Sequence, residues 1–303
     1  MTPRNLKVFL PIAAVCLVAA AQESAVFRSD TRIVVCHVTV MDKSGHLITN
    51  LPKDAFTVYE NKVKQEIRSF KREDLPVSLG LVIDNSGSMR NKLDRVKAAA
   101  VALVEASNKD DEVFVVNFND AAYLDLLPGK DFTNSIPELE QALAKIDTRG
   151  GTAMRDAIQM SIDHLKKAHR DKKVLVVITD GNDNSSVLSL EALMRNAHQS
   201  EILIYGVGLL NEEEHREAAH AKRALNDLAE ATGGKTFFPN DTAQVGPIAQ
   251  QVAHDIRNQY TIEYSPTNSA MDGTFRQIKI TVKAPGNPTV RTRSGYYATP
   301  DKK

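Results

Sequence analysis

Leu79-Gly-Leu-Val-Ile-Asp84-Asn-Ser86-Gly-Ser88-Met89 is an apolar run that ends abruptly in one carboxylate and two hydroxyls. This pattern predicts a buried strand whose C-terminal loop carries three oxygen side chains. Open α/β sheets bind ligands in the crevice outside the carboxyl ends of their strands. Asp and Ser oxygens are hard donors, which suit Mg²⁺, Mn²⁺ or Ca²⁺ better than zinc or copper. Taken alone, the motif is equally compatible with a polar turn after a strand.

Two later segments favour the functional interpretation. Gly150-Gly151-Thr152 predicts a glycine turn that leads into a helix with a hydroxyl at its head. The apolar run from residue 174 to residue 179 predicts a second buried strand, and it is followed by Asp180. Together the three segments resemble the von Willebrand factor type A domain. Five residues match the metal-ion-dependent adhesion site of that family, in its order and with similar spacing: Asp84, Ser86, Ser88, Thr152 and Asp180.

The resemblance implies a way of holding the metal. In the family the hydroxyls commonly contact the ion directly, and one or both carboxylates act through bound water. A metal with few anionic ligands stays electrophilic, and its open position attracts a carboxylate from a partner protein. The residues themselves show an all-oxygen set with at most two charges, Asp84 and Asp180. Such a set suits Mg²⁺ with several waters retained, with Mn²⁺ or Ca²⁺ as alternatives.

The function predicted from these features is a metal-dependent protein-binding module that captures an acidic side chain. The alternatives are a metal-dependent hydrolase and an assembly subunit of a larger envelope complex. An enzyme is not expected, because no general base, nucleophile or second metal is evident. The histidine pairs are five residues apart and lack the spacing of a zinc protease motif, and Ser86 and Ser88 lack the flanking glycines of a hydrolase elbow.

Composition points to an ordinary globular protein without a nucleic-acid partner. The 303 residues include 42% apolar and 25% charged residues, and 38 Lys and Arg balance 38 Asp and Glu. No basic cluster interleaved with aromatic residues is present, so we expect no nucleic-acid interface.

The N-terminus is typical of a secretory signal. Arg4 and Lys7 precede a fourteen-residue apolar run, Val8 to Ala21, which ends in three alanines. We expect cleavage after Ala21 and a secreted or periplasmic protein without a membrane span. An uncleaved membrane anchor is the alternative. Cleavage would leave Cys36 as the one cysteine, and we expect it to be buried in its apolar segment rather than to form a disulfide.

The alternation of elements predicts the fold class. Four short β-branched runs alternate with helical patterns, which is typical of a doubly wound, mostly parallel sheet covered by helices. We place this von Willebrand factor type A domain at residues 76–255, after the signal at residues 1–21. The segments 22–75 and 256–298 carry strand patterns, and we expect them to pair in one antiparallel β-sandwich. They also resemble the related proteins that are abundant in Acidobacteria.

Two further carboxylates lie near the predicted site in sequence. Asp156 follows Thr152 by one helical turn, so it could hydrogen-bond the predicted metal ligands without contacting the ion itself. A solvated residue near a helix N-terminus is an equally good interpretation. Asp183 follows Asp180 closely and is interpreted as a loop carboxylate.

Overall fold

The computed structural model describes residues 32–72, 74–210 and 215–300 of the chain. The predicted signal segment lies outside the described residues. Strands are numbered in chain order as β1 (Val34–Met41), β2 (Phe56–Glu60), β3 (Val63–Gln65), β4 (Ile67–Lys71), β5 (Val77–Asp84), β6 (Glu112–Phe118), β7 (Ala122–Leu124), β8 (Lys172–Thr179), β9 (Ile202–Gly208), β10 (Thr236–Phe237), β11 (Tyr260–Tyr264), β12 (Phe275–Val282), β13 (Thr289–Arg291) and β14 (Gly295–Tyr297). The helices are α1 (Leu93–Glu105), α2 (Ile136–Ala144), α3 (Met154–His164), α4 (Leu190–Gln199), α5 (His215–Thr232) and α6 (Val245–Arg257).

A six-stranded sheet forms the centre of the α/β domain. Its strand order is β10-β9-β8-β5-β6-β7, and all neighbours are parallel except β6 and β7. Every residue of β5 is buried, as expected of a strand with both faces covered. Gly80 is required in this strand, since a Cβ there would lie 2.4 Å from the Phe114 ring and 2.5 Å from Leu175. The close packing of Phe114 and Leu175 against β5 therefore depends on the absence of a side chain at Gly80.

The helices form two groups that cover the central sheet. Helix α1 packs against α2 and α6, whereas α4 packs against α3 and α5. Both groups bury apolar residues in one core shared with the sheet. The expected doubly wound α/β fold is thus confirmed.

The two ends of the described chain form a separate antiparallel sandwich. One sheet has the order β13-β1-β11-β4 and the other has the order β14-β12-β2-β3, so each sheet takes two strands from each end. Their inner faces share a core that includes Cys36, Val58, Tyr260 and Ile280. The predicted flanking sandwich is confirmed, because both sheets combine strands from the two ends. The exact domain boundaries stay predictions.

Some elements differ from the sequence expectations. The sequence pattern missed the short strands β7, β10 and β14, because two or three residues carry too little periodicity to be read. It also missed the nine-residue helix α2. The expected burial of Cys36 is confirmed, and this burial raises the pKa of its thiol to about 12. Within the described residues, no helix is both long and apolar enough to cross a membrane.

Candidate metal centre

The candidate site lies where two neighbouring parallel strands end. Strand β5 ends at Asp84, and β8 ends at Thr179, one residue before Asp180. The two strands are paired up to Ile83 and Ile178. Because their carboxyl ends meet at the same edge of the sheet, the two carboxylates that are 96 positions apart in the sequence numbering come into one crevice.

Hydrogen bonds join four of the five predicted ligands. The amide of Ser86 donates to Oδ1 of Asp84 at 2.8 Å. The Ser86 and Ser88 hydroxyls are hydrogen bonded at 3.1 Å, and the Ser88 hydroxyl donates to Oδ1 of Asp180 at 2.8 Å. Asp84, Ser86 and Asp180 are buried, whereas Ser88 is exposed. The cluster is therefore held by its buried members and is accessible to solvent at Ser88.

The fifth residue, Thr152, lies on a loop that is bonded to the same turn. The amide of Gly87 donates to the carbonyl of Gly150 at 3.1 Å, and this bond brings the glycine turn beside the serine loop. The amide of Thr152 donates to Oδ1 of Asn184 at 2.9 Å, which ties its backbone to the loop after Asp180. Thr152 is 4% exposed. Among the described residues, no hydrogen bond joins its hydroxyl to the other four.

Asp84 is a fully buried carboxylate at the base of the cluster. Its Oδ2 accepts a hydrogen bond from the Thr179 hydroxyl at 2.6 Å, and its relative exposure is 0%. Burial raises the pKa of the Asp84 carboxyl to about 6, and the nearby Asp180 charge adds to this rise. Hydrogen bonds from Thr179 and Ser86 act in the opposite direction. The carboxylate is thus held in place by donors that favour its charged form.

A lysine that the sequence reasoning missed completes the cluster. Nζ of Lys92 donates to Oδ2 of Asp180 at 2.8 Å, and the two side chains are 7% and 0% exposed. Lys92 is the residue directly before helix α1, at the end of the 3-10 turn Gly87–Asn91. Only its position, four residues after Ser88, could have indicated a role in the site. A lysine at the start of a helix is normally interpreted as a solvent-exposed residue.

Two other contributors were also missed. Thr179 ends β8 and was interpreted only as part of the strand, although its hydroxyl bonds Asp84. Asn184 lies in a polar loop, and its carboxamide reaches back to Thr152. A threonine or an asparagine in such a position does not by itself predict a contact with the site, because these contacts depend on which loops lie close together in the fold.

Asp156 and Asp183 organise the loop that follows Asp180. The Asp156 carboxylate accepts the amides of Val187 and Leu188, each at 2.9 Å. Asp183 accepts the Arg155 amide at 2.7 Å and forms an ion pair with the Arg155 guanidinium at 3.1 Å. No described hydrogen bond joins Asp156 to the four-residue cluster, so its contacts are to the loop backbone rather than to the predicted ligands.

The fold is a doubly wound α/β domain with a cluster of oxygen side chains at the carboxyl edge of its sheet. Comparison with known families identifies the class of domain. The chain belongs to the von Willebrand factor type A domain family, whose model matches residues 79–251. Members of this family are typically protein-interaction or adhesion modules.

Two individual relatives share 30% or less of their aligned sequence with this chain. The protein sll0103 of Synechocystis is 30% identical over 122 residues, which cover 38% of this chain and 29% of that protein. Inter-alpha-trypsin inhibitor heavy chain H3 of Bos taurus is 25% identical over 227 residues, which cover 68% of this chain and 24% of that protein. The chain thus spans less than a third of the length of these two relatives.

A solved structure shares the fold. The von Willebrand factor type A protein from Catenulispora acidiphila superposes with a TM-score of 0.53 at 15% sequence identity. The match covers 91% of this chain and 76% of that one. At this identity the likeness concerns the fold alone.

Proposed function

We propose that this protein is an exported, metal-dependent binding module that captures an acidic side chain of a partner protein at a divalent-cation site. The observation that carries the proposal is the hydrogen-bonded cluster of Asp84, Ser86, Ser88 and Asp180 at the carboxyl edge of the sheet. The Thr152 loop lies beside it, and Ser88 gives it a solvent-facing side.

The donor set fits a hard divalent cation. It offers hydroxyl and carboxylate oxygens, which are ligands of Mg²⁺ and Mn²⁺. Within the described residues, no group of three or more His, Cys, Asp or Glu side chains is placed to hold a metal. The proposed site therefore depends on its hydroxyl oxygens as well as on its two carboxylates. Asp84, Ser86, Ser88, Thr152 and Asp180 would hold the ion.

The protein's own residues would position the two carboxylates and keep the number of negative charges around the cation small. Thr179 and the Ser86 amide hold Asp84, while the Ser88 hydroxyl is directed at Asp180. A bound cation would supply an electrophilic position that a partner carboxylate completes. Loss of one such central, charge-assisted contact costs upwards of about 2 kcal/mol, or roughly thirtyfold in affinity.

Metal binding is tested by titration calorimetry of the mature protein with Mg²⁺, Mn²⁺ and Zn²⁺. We expect Mg²⁺ or Mn²⁺ to bind in preference to Zn²⁺, and the Asp84→Ala variant to lose binding. Asp227→Ala, which removes a half-exposed carboxylate of helix α5, is the control. Equal binding by Asp84→Ala, or a strong preference for zinc, would contradict the site.

Partner binding is tested by capture from native envelope with and without chelator. Partners should be lost in chelator, return with Mg²⁺, and be captured at least about thirtyfold less well by folded Thr152→Ala and Asp180→Ala variants. Capture that is unchanged in chelator would place the interaction surface elsewhere. Reproducible hydrolysis that Asp84→Ala abolishes would favour the enzyme alternative instead.

Export is tested separately by N-terminal sequencing of protein made in a secreting host. The charged start and the alanines before Gln22 lead us to expect a mature chain that begins at Gln22. A full-length chain in the cytosol would contradict export, and a full-length chain in the membrane would favour an uncleaved anchor.

A further inference from the structure

A buried ammonium group lies inside the candidate metal centre. Nζ of Lys92 is 2.8 Å from Oδ2 of Asp180, and both side chains are almost fully buried. Burying a lysine costs both hydration and side-chain freedom. This placement also has no benefit for helix α1, because a positive charge at a helix N-terminus opposes the helix dipole. The contact with Asp180 holds this positive charge inside the candidate metal centre.

The two oxygens of Asp180 have different partners. Oδ1 accepts from the Ser88 hydroxyl, whereas Oδ2 accepts from Lys92. The ammonium thus acts through the oxygen of Asp180 that is not bonded to the serine pair. Lys92 is part of the same network as the hydroxyls, but it can offer no lone pair to a cation while it is protonated.

We propose that Lys92 is an internal counter-cation that weakens the binding of the metal and strengthens the binding of the partner carboxylate. This inference rests on the metal-dependent function proposed above. Lys92 adds one positive charge beside the two carboxylates, Asp84 and Asp180, of the site. With Lys92 present, the metal-occupied site is one unit charge more positive toward an incoming carboxylate than it would be without Lys92.

Other charged groups around the site are common to the wild type and to a Lys92 variant, so their comparison isolates the effect of one positive charge. A unit charge within a few ångströms of a buried ligand is sufficient to change ion affinity by about tenfold or more. The two effects have opposite signs, since the same charge repels a cation and attracts an anion.

The test compares the wild type with Lys92→Met and Lys92→Gln at a single pH. Lys92→Gln retains a hydrogen-bond donor for Asp180 and removes only the charge, so it covers the case in which Lys92→Met fails to fold. Lys97→Met is the matched control, because Lys97 lies on the same helix and bonds the Ile146 carbonyl at 3.1 Å. Mn²⁺ affinity is measured by calorimetry, and acetate affinity is measured on the Mn²⁺-loaded protein by water-proton relaxation.

Both Lys92 variants should bind Mn²⁺ about tenfold or more tightly than the wild type and bind acetate more weakly. In chelator, Lys92→Met should unfold at a lower temperature than the wild type, because Asp180 is left buried without its counter-charge, and Mn²⁺ should reverse this loss. Lys97→Met should change neither affinity.

Two failures are distinguishable. If the wild type binds Mn²⁺ but the Lys92 variants bind it equally or more weakly, Lys92 is a structural residue and the inference is wrong. If neither the wild type nor the variants bind Mn²⁺, the metal-dependent function itself is wrong, and the inference falls with it.

Discussion

The amide of Gly87 donates to the carbonyl of Gly150 at 3.1 Å, and this contact links the serine loop to the threonine loop of the candidate site. A second bond, from the Arg149 amide to the Asn85 carbonyl at 2.9 Å, runs in the opposite direction between the same two loops. Backbone contacts between the two loops thus help to position the hydroxyls that would hold a cation. This arrangement makes the glycine turn a sensitive point of the site.

Substitution of Gly150 should disturb this junction. Gly150 has a φ of 68°, and a Cβ at this position would lie 2.1 Å from the Asp120 carboxylate. We expect Gly150→Ala to cost about 1–3 kcal/mol of unfolding free energy and to weaken Mn²⁺ binding, because the Thr152 loop must move. Thermal or urea unfolding and calorimetry measure the two effects.

Gly129→Ala provides the matched control for this prediction. Gly129 also has a positive φ, of 83°, but a Cβ there meets nothing within 4 Å. Its variant should show only the backbone cost. Equal destabilisation by both variants would mean that the contact with Asp120 is relieved at no cost.

Removal of the Thr179 hydroxyl should destabilise the protein beneath the site. This hydroxyl donates to Asp84 at 2.6 Å in a fully buried setting. Thr179→Val preserves the shape of the side chain but leaves the carboxylate without one donor, so we expect a loss of about 1–3 kcal/mol in urea unfolding. Thr179→Ser retains a hydroxyl and should lose less. A Thr179→Val variant as stable as wild type would show that Asp84 finds another donor.

Glu60 should couple the two chain ends in the sandwich. Its Oε2 accepts the hydroxyls of Tyr264 at 2.8 Å and Tyr296 at 2.9 Å, and Glu60 is 3% exposed. Tyr264→Phe and Tyr296→Phe should each cost about 1–2 kcal/mol of unfolding free energy. The double variant should cost more than the sum, because the buried carboxylate then has neither donor. Tyr59→Phe, at the neighbouring position of β2, is the control, and strict additivity would contradict the coupling.

Lys172 should give the stability a characteristic pH dependence. Burial lowers the pKa of Lys172 from 10.5 to about 7, with a further contribution from the Arg257 charge. Between about pH 7 and pH 10.5 the unfolded chain therefore binds more protons at this residue than the folded one. The stability contribution of Lys172 should rise with pH across this window, and its full cost should be present below about pH 7.

The measurement compares urea unfolding of the wild type and Lys172→Met at several pH values. The stability of the wild type relative to Lys172→Met should increase as the pH rises from about 7 to 10.5. Lys173→Met removes the next lysine of β8 and corrects for the change in net charge. A difference between wild type and Lys172→Met that stays constant with pH would contradict the lowered pKa.

Much of the fold was predictable because long elements carry strong patterns. Strands β5, β6, β8 and β9 are buried along almost their whole length and contain long apolar runs, which predicted a parallel sheet covered by helices. The elements that were missed are helix α2, which has nine residues, and three short strands. β7 and β14 have three residues each, and such segments are strands only because a neighbouring strand pairs with them.

The candidate site divides in a similar way. The motif around Asp84 and the strand before Asp180 could be read from the sequence, because an apolar run that ends in a carboxylate is a local feature. Their role as metal ligands stays a prediction. The partners that hold them were not readable, since Thr179 and Lys92 reach these carboxylates across gaps of 95 and 88 residues. The orientation of Asp156 toward Val187 and Leu188 also depends on the path of a loop.

The sequence by itself determined the family, the doubly wound α/β sheet and the set of oxygen side chains at its carboxyl edge, because hydrophobic periodicity and local motifs specify these. Only the tertiary structure decided that two strands from each chain end share each sheet of the sandwich, and that Lys92 lies on Asp180 inside the candidate metal centre. Both are contacts between residues far apart in the chain. Such contacts are selected by the packing of the whole fold, so no local pattern records them.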